Sequence, residues 1–238
     1  DERDLQANIQ HVTNNVYRLF RAKGYSPERI RYLATDLNID ATGDGQSDVS
    51  ALASKAQLQH AITQWTADKE LGPERAFTLY LMDHGGENGI FYLDTPRGER
   101  VTAQELDAWL TQLEASNPGV KVNLIIEACY SGGFVSRLTR SEHSPSSPSH
   151  KNELLRVLGA PNRVIISSTD PVALAYASPK GAWFSDNLLD ALSQDMSLAE
   201  AFEEATHSVL QANPAQLPLL DGNGDGIPNR VEDYQAAA

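Results

Sequence analysis

The chain has 238 residues, 41% of them hydrophobic, enough for one sizeable core at the upper end of single-domain length. Its formal net charge of −13 argues against a nucleic-acid groove or an anionic membrane surface as the main partner. A single cysteine excludes an internal disulfide framework and a multi-cysteine zinc site, and no apolar run approaches the roughly 18 residues of a membrane span.

Residues 4–23 read as an amphipathic helix, with Leu5, Ile9, Val12, Val16, Leu19 and Phe20 at helical spacing and Gly24 ending it. No signal peptide precedes it, and the opening DERDLQ reads as the start of a mature form or an excised domain. RIRYLA (29–34) is a short strand, followed by the Asp- and Gly-rich loop 35–48. A second helix covers about 51–69 and breaks at GPER. AFTLYLMD (76–83) is a buried strand that runs into HGGENG, and IFYLD and ERVT form a small hairpin around TPRG. Thr102 caps a helix over 103–114, with Glu105 completing a capping box. Two more buried strands, 120–128 and 163–170, bracket a Ser- and Pro-rich segment at 141–152, and helices at 185–193 and 197–211 end the body. The alternation predicts an α/β sandwich with a mostly parallel sheet, occupying residues 1–213, with 214–238 as a separate calcium-loop tail or the start of a following repeat.

Functional sites of such sheets lie beyond the C-terminal ends of the strands. His84 follows one buried strand and Cys129 another, each beside a pair of glycines that let backbone N–H groups approach a substrate. A free cysteine alone reads as a small buried hydrophobe, and a lone histidine as structural. Together, at matching strand ends, they read as a thiol nucleophile and its acid/base partner for acyl transfer.

LYLMDHGG and IIEACYSGGF resemble the His-Gly and Ala-Cys blocks of the caspase-like (clan CD) cysteine peptidases. Glu-Ala-Cys-x-Ser-Gly is most similar to the legumain-like family, bacterial members included, and the resemblance extends through RVIISSTDPVALAYA and GAWFSDNLL to about residue 210. It implies a caspase-like three-layer sandwich and a cysteine endopeptidase acting on peptides or proteins without a catalytic cofactor. Cys129 is the implied nucleophile, His84 the general acid/base, and the N–H groups of Gly85 and Cys129 the oxyanion hole. Glu127 corresponds to an acidic residue at the floor of the P1 pocket, where a carboxylate prefers an amide or cationic partner. Ala182 stands where the family has an acidic pocket residue beside Trp183, and Leu174 and Ala175 stand where it has two serines. These departures favour a basic P1 residue over asparagine. A strand that the family places ahead of its first helix is not found here, so either the chain is cut there or the sheet is built differently. The alternatives are a peptide transamidase or ligase, in which an amine captures the acyl-enzyme, and a non-catalytic calcium-binding adhesion or scaffold module.

DGNGDGIPNRVE (221–232) fits a calcium-loop pattern, with Asp221, Asn223, Asp225, the Ile227 carbonyl and Glu232 as ligands. Asp36, Asn38, Asp40, Asp44 and Asp48 surround a second, less regular candidate. Calcium would be structural, and loops of this affinity class suit an extracellular or periplasmic setting. Arg137, Arg140 and Lys151 flank the Ser/Pro segment, which reads as a disordered linker, with an autoprocessing site or a lid as the functional alternatives.

Overall fold

The computed structural model describes residues 2–140 and 152–238; most of the Ser/Pro segment, Lys151 and the expected processing region therefore lie outside the described residues. Helix α1 (Glu2–Ala22) matches the periodic segment. The expected strand at 29–34 shrinks to β1 (Leu33–Ala34), which pairs in parallel with β2 (Ala51–Leu52). β2 takes the first residues expected to be helical, so α2 (Lys55–Thr63) starts later, with the Ser54 side chain accepting from the Gln57 N–H.

Next come β3 (Phe77–Met82), β4 (Gly85–Gly86), β5 (Ile90–Asp94) and β6 (Glu99–Thr102). The last three form a small antiparallel sheet beside the main one. α3 (Ala103–Ser116) leads into β7 (Val122–Glu127). β8 (Ser136–Arg140) and β9 (Asn152–Arg156) make an antiparallel pair. β10 (Arg163–Ser167), α4 (Trp183–Ser193), α5 (Leu198–Ala212), β11 (Leu219–Asp221) and α6 (Val231–Ala236) complete the chain.

The central sheet has the order β11-β10-β7-β3, with β10, β7 and β3 parallel and β11 antiparallel at the edge. Strand periodicity sorts β7 between two layers. Leu124 and Ile126 join a core that includes Leu58 and Ile62 of α2 and Leu106, Leu110 and Leu113 of α3. Ile125 faces the other way, into Phe184 and Leu188 of α4 and Phe202 of α5. α1 covers the same face at the β3 end, where Val12 and Val16 meet Tyr80 and Met82. The expected three-layer α/β/α sandwich is therefore present. The segment read as a separate tail is built into it: β11 pairs with β10, and the Ala199 N–H donates to the Ala237 carbonyl. Among the described residues no helix is long and apolar enough to cross a membrane.

α3 starts as the capping box predicts: the Thr102 side chain accepts from the Glu105 N–H, and Glu105 Oε2 accepts from the Thr102 N–H at 2.9 Å. The box holds in place a helix that buries Leu106, Trp109, Leu110 and Leu113. Thr102→Ala is expected to lower stability by about 1 kcal/mol, read as a shift of the urea midpoint at unchanged slope.

Candidate active site

The parallel strands end together at one edge of the sheet, and the two sequence blocks meet there. Beyond β7 the chain passes Ala128, which is buried, to Cys129, which is half-buried. Tyr130 then adopts a left-handed conformation (φ 59°), and its N–H donates to the Ala173 carbonyl at 2.9 Å. That turn stops the strand and starts the tight Ser131–Phe134 turn. Gly132 is required there, because a Cβ would lie 2.6 Å from the backbone of Asp170 and Pro171. The Cys129 thiol faces the Ala175 carbonyl, with Sγ 3.8 Å from the oxygen.

Gly85 joins the histidine block to the cysteine block. A Cβ on Gly85 would sit 1.9 Å from the Cys129 carbonyl oxygen, so only glycine permits this approach. His84 is half-buried, and its carbonyl accepts from the Tyr92 N–H at 3.0 Å. That bond makes His84–Tyr92 the hydrogen-bonded pair of the β4–β5 ladder, so Gly85 falls in the next, non-bonded pair and its N–H points away from β5. The Cys129 N–H likewise has no hydrogen-bond partner among the described residues. Neither N–H is taken up by the β4–β5 ladder or by a hydrogen bond to another described residue. Among the described residues no hydrogen bond joins the His84 ring to Cys129. Asp83, whose Oδ1 accepts the His84 N–H at 2.7 Å, is pushed by burial to a pKa of about 6.

Glu127 lies two residues before Cys129 and, by strand alternation, on the α4 face of the sheet. It is 2% exposed. Its Oε2 accepts from the Ser185 N–H at 3.0 Å and from the Ser185 hydroxyl at 2.7 Å, at the N-terminal turn of α4. The Tyr80 hydroxyl bonds the Ser185 hydroxyl in turn, at 2.6 Å. Oε1 is buried with no hydrogen-bond partner among the described residues. Burial raises the carboxyl pKa to about 7, against the pull of the Ser168 and Ser185 hydroxyls.

The remaining pocket candidates gather around this carboxylate. Ala182 is the buried N-cap residue of α4, and Trp183, its first residue, is partly exposed. The Trp183 N–H donates to the Tyr176 carbonyl at 3.2 Å, and Ala177 bridges Ala182, which holds the segment after Ala175 against the start of α4. Sequence reasoning missed Ser185, although it falls within the GAWFSD block. It also missed Gln216, which accepts the Tyr176 N–H (3.1 Å) and donates to the Ser168 carbonyl (2.9 Å). No local pattern marks Gln216; only the fold brings it there.

The acidic loops behave differently from each other. Asp221, Asp225 and Asp233 offer carboxylate oxygens within 4.8 Å of one another. Asp233 takes the place expected for Glu232, which is exposed on the first turn of α6 and stands outside the cluster. The reason is local: Asp233 caps α6, with Oδ2 accepting the Arg230 N–H at 2.8 Å and Oδ1 the Gly222 N–H at 3.0 Å, which turns it into the loop. Burial and the neighbouring carboxylates raise the pKa of Asp221 to about 6. The 36–48 loop gathers no such cluster among the described residues. Asp40 instead accepts the N–H groups of Gly43, Asp44 and Gly45, and Asp48 those of Ala41 and Thr42. Asp36 folds onto Asn38 (2.9 Å), and Asp44 accepts the Gln46 N–H (2.9 Å). These side chains are turned inward to hold the loop's own backbone.

Residues 66–144, which include both His84 and Cys129, match the model of the peptidase C13 family. No curated protein matches the chain. Among solved structures the chain is similar to caspase-1 from Spodoptera frugiperda, with a TM-score of 0.54, 15% identity, and 91% of this chain and 78% of that one covered. At that identity the likeness shows the fold: this is a caspase-like α/β domain.

Proposed function

We propose that this caspase-like domain is a cysteine endopeptidase that uses Cys129 as nucleophile and His84 as general acid/base. The observation that carries the reading is the packing of Gly85 against the Cys129 carbonyl, which makes one site of two blocks 45 residues apart. The thiolate attacks the scissile carbonyl carbon, and the resulting oxyanion is held by the N–H groups of Gly85 and Cys129. The imidazolium of His84 gives its proton to the departing amine, leaving a thioester on Cys129. Water, deprotonated by His84, then releases the acid and restores the thiol. An amine in place of that water gives a transpeptidation product by the same steps. Glu127 is the proposed P1 determinant: its unpartnered Oε1 suits the guanidinium, ammonium or carboxamide donor of a basic or asparagine side chain. A peptidyl electrophile with a basic P1 residue is expected to label Cys129 stoichiometrically at neutral pH. A full-length chain recovered without adduct after prolonged exposure points to the non-catalytic reading.

We further propose that the loop 221–233 binds a structural calcium ion through Asp221, Asn223, Asp225 and the Ile227 carbonyl, with Asp233 replacing Glu232. Three carboxylates crowded within 4.8 Å suit a hard divalent cation and oppose one another without it. Such a site fits an extracellular or periplasmic protein, where calcium is abundant. Calorimetric titration is expected to give one binding heat that disappears in Asp225→Ala and survives in Glu232→Ala. Loss in the second variant as well would restore the twelve-residue loop reading.

A further inference from the structure

The segment 174–177 lies between Cys129 and the start of α4, and its backbone groups sort to two sides. On one side the Tyr176 carbonyl accepts from the Trp183 N–H, and Ala177 bridges Ala182 as the non-bonded pair next to it. In a regular antiparallel ladder the Tyr176–Trp183 pair would exchange two hydrogen bonds. Here one is missing. Trp183 is the first residue of α4, and its carbonyl is turned into the helix, where it accepts from Asn187 Nδ2 at 2.7 Å. The Tyr176 N–H donates instead to Gln216 Oε1, at 3.1 Å. A side chain 40 residues away in sequence replaces the missing rung.

Gln216 is fully buried, and both ends of its amide are used. Oε1 takes the Tyr176 N–H, and Nε2 donates to the Ser168 carbonyl at 2.9 Å. Turned over, the amide would set donor against donor and acceptor against acceptor, so its orientation is fixed. Ser168 is in turn locked to the strand that carries the nucleophile. Its N–H donates to the Ile126 carbonyl at 3.0 Å, and its hydroxyl accepts from the Ala128 N–H at 3.3 Å. Gln216 therefore ties Tyr176 to the residue before Cys129.

This anchoring decides what the other side of the segment presents. In extended backbone the N–H and C=O groups of Ala175 and Ala177 point away from those of Tyr176. The Ala175 carbonyl faces the Cys129 thiol, with Sγ 3.8 Å away. The N–H groups of Ala175 and Ala177 have no hydrogen bond to another described residue. Toward Ala173 the row is closed, because the Ala173 carbonyl accepts the Tyr130 N–H at 2.9 Å. It is open only toward Ala177. An extended peptide whose scissile carbonyl sits at Cys129 can pair with this row, with P1 opposite Ala175 and P3 opposite Ala177.

We propose that Gln216 is a positioning residue of the peptidase site: it holds Tyr176 inward, so that Ala175 and Ala177 offer their backbone groups to the substrate chain ahead of the scissile bond. The proposal rests on the peptidase reading and adds to it a residue that acts through Tyr176. A buried amide with a purely structural role would affect short and long substrates alike.

Two fluorogenic substrates with the same P1 residue test this, one blocked directly at P1 and one extended to P3. The parent is expected to cleave the longer one with a kcat/KM about 10–100-fold higher, the worth of two backbone hydrogen bonds. Gln216→Met keeps the length of the side chain and removes both of its hydrogen bonds; it is expected to cut that ratio about tenfold. A ratio within about twofold of the parent's overturns the proposal and leaves the peptidase reading standing, as does a parent that cleaves both substrates equally well. A parent that cleaves neither, and whose Cys129 takes no peptidyl electrophile, overturns the peptidase reading and this proposal with it. Residue-resolved hydrogen exchange on the unsubstituted protein does not depend on the variant folding. The Tyr176 amide is expected to exchange about 100-fold or more slowly than that of Ala177, and equal rates overturn the proposal.

Discussion

Cys129→Ala is expected to reduce peptide hydrolysis by about 10⁴-fold or more and to abolish labelling by a peptidyl electrophile. The same substitution is expected to leave stability within about 1 kcal/mol, because it removes no core packing. Cys129 is half-buried, and the hydrogen bond its thiol gives, to the Ala175 carbonyl at 3.8 Å, is too weak to hold the fold. The role of the thiol is thus separable from its neighbours. His84→Ala is expected to cost a comparable factor, and the double variant little more than either alone, since nucleophile and proton carrier act as one unit. Parent, single and double variants compared with one fluorogenic substrate give the answer directly. Cys129→Ala retaining more than about one per cent of the parent rate would remove the nucleophile assignment.

That the two blocks meet was legible in the sequence because each ends a buried strand. Hydrophobic runs that stop at His84-Gly85 and at Cys129-Tyr130 carry both the strand and the position of its C-terminal end. Thr102 and Glu105 announced the start of α3 for an equally local reason. What stayed hidden depends on partners distant in sequence. RIRYLA has the composition of a full strand, yet only Leu33 and Ala34 pair, because β2 offers two residues. β11 has three residues and reads as the approach to a calcium loop; its place in the sheet comes from pairing Asp221, Leu220 and Leu219 with β10, over fifty residues away. The loop pattern points to Glu232 because it counts positions, whereas the start of α6 turns Asp233 inward beside Asp221 and Asp225.

Glu127 also changed character once its surroundings were known, and with it the way to test it. In the structure Oε2 is the acceptor for both the N–H and the hydroxyl of Ser185, so Glu127→Ala strips the start of α4 of its anchor and leaves buried donors unsatisfied. Glutamine is the sharper probe. Its carbonyl oxygen can replace Oε2 toward Ser185, and its NH₂ takes the position of the unpartnered Oε1. Two results are expected. Cleavage after a basic P1 residue falls by about 10–100-fold, the loss of one charge-assisted contact, whereas cleavage after asparagine falls less. The pH dependence of stability also changes, with a sign set by the raised pKa. Glu127 binds its proton more tightly folded (about 7) than unfolded (4.5), so its protonation supports the fold fully below pH 4.5. That contribution declines as pH rises and is gone above about pH 7, a loss of about 3 kcal/mol across the window. Asp83 and Asp221, both raised to about 6, add slopes of the same sign in parent and variant alike. The difference between the two proteins therefore isolates Glu127: urea unfolding from pH 4.5 to 7.5 is expected to show a parent curve that falls more steeply than that of Glu127→Gln. Parallel curves would mean that the carboxylate is already charged and paired in the folded protein, and a paired carboxylate has no free oxygen to offer a cationic P1 side chain.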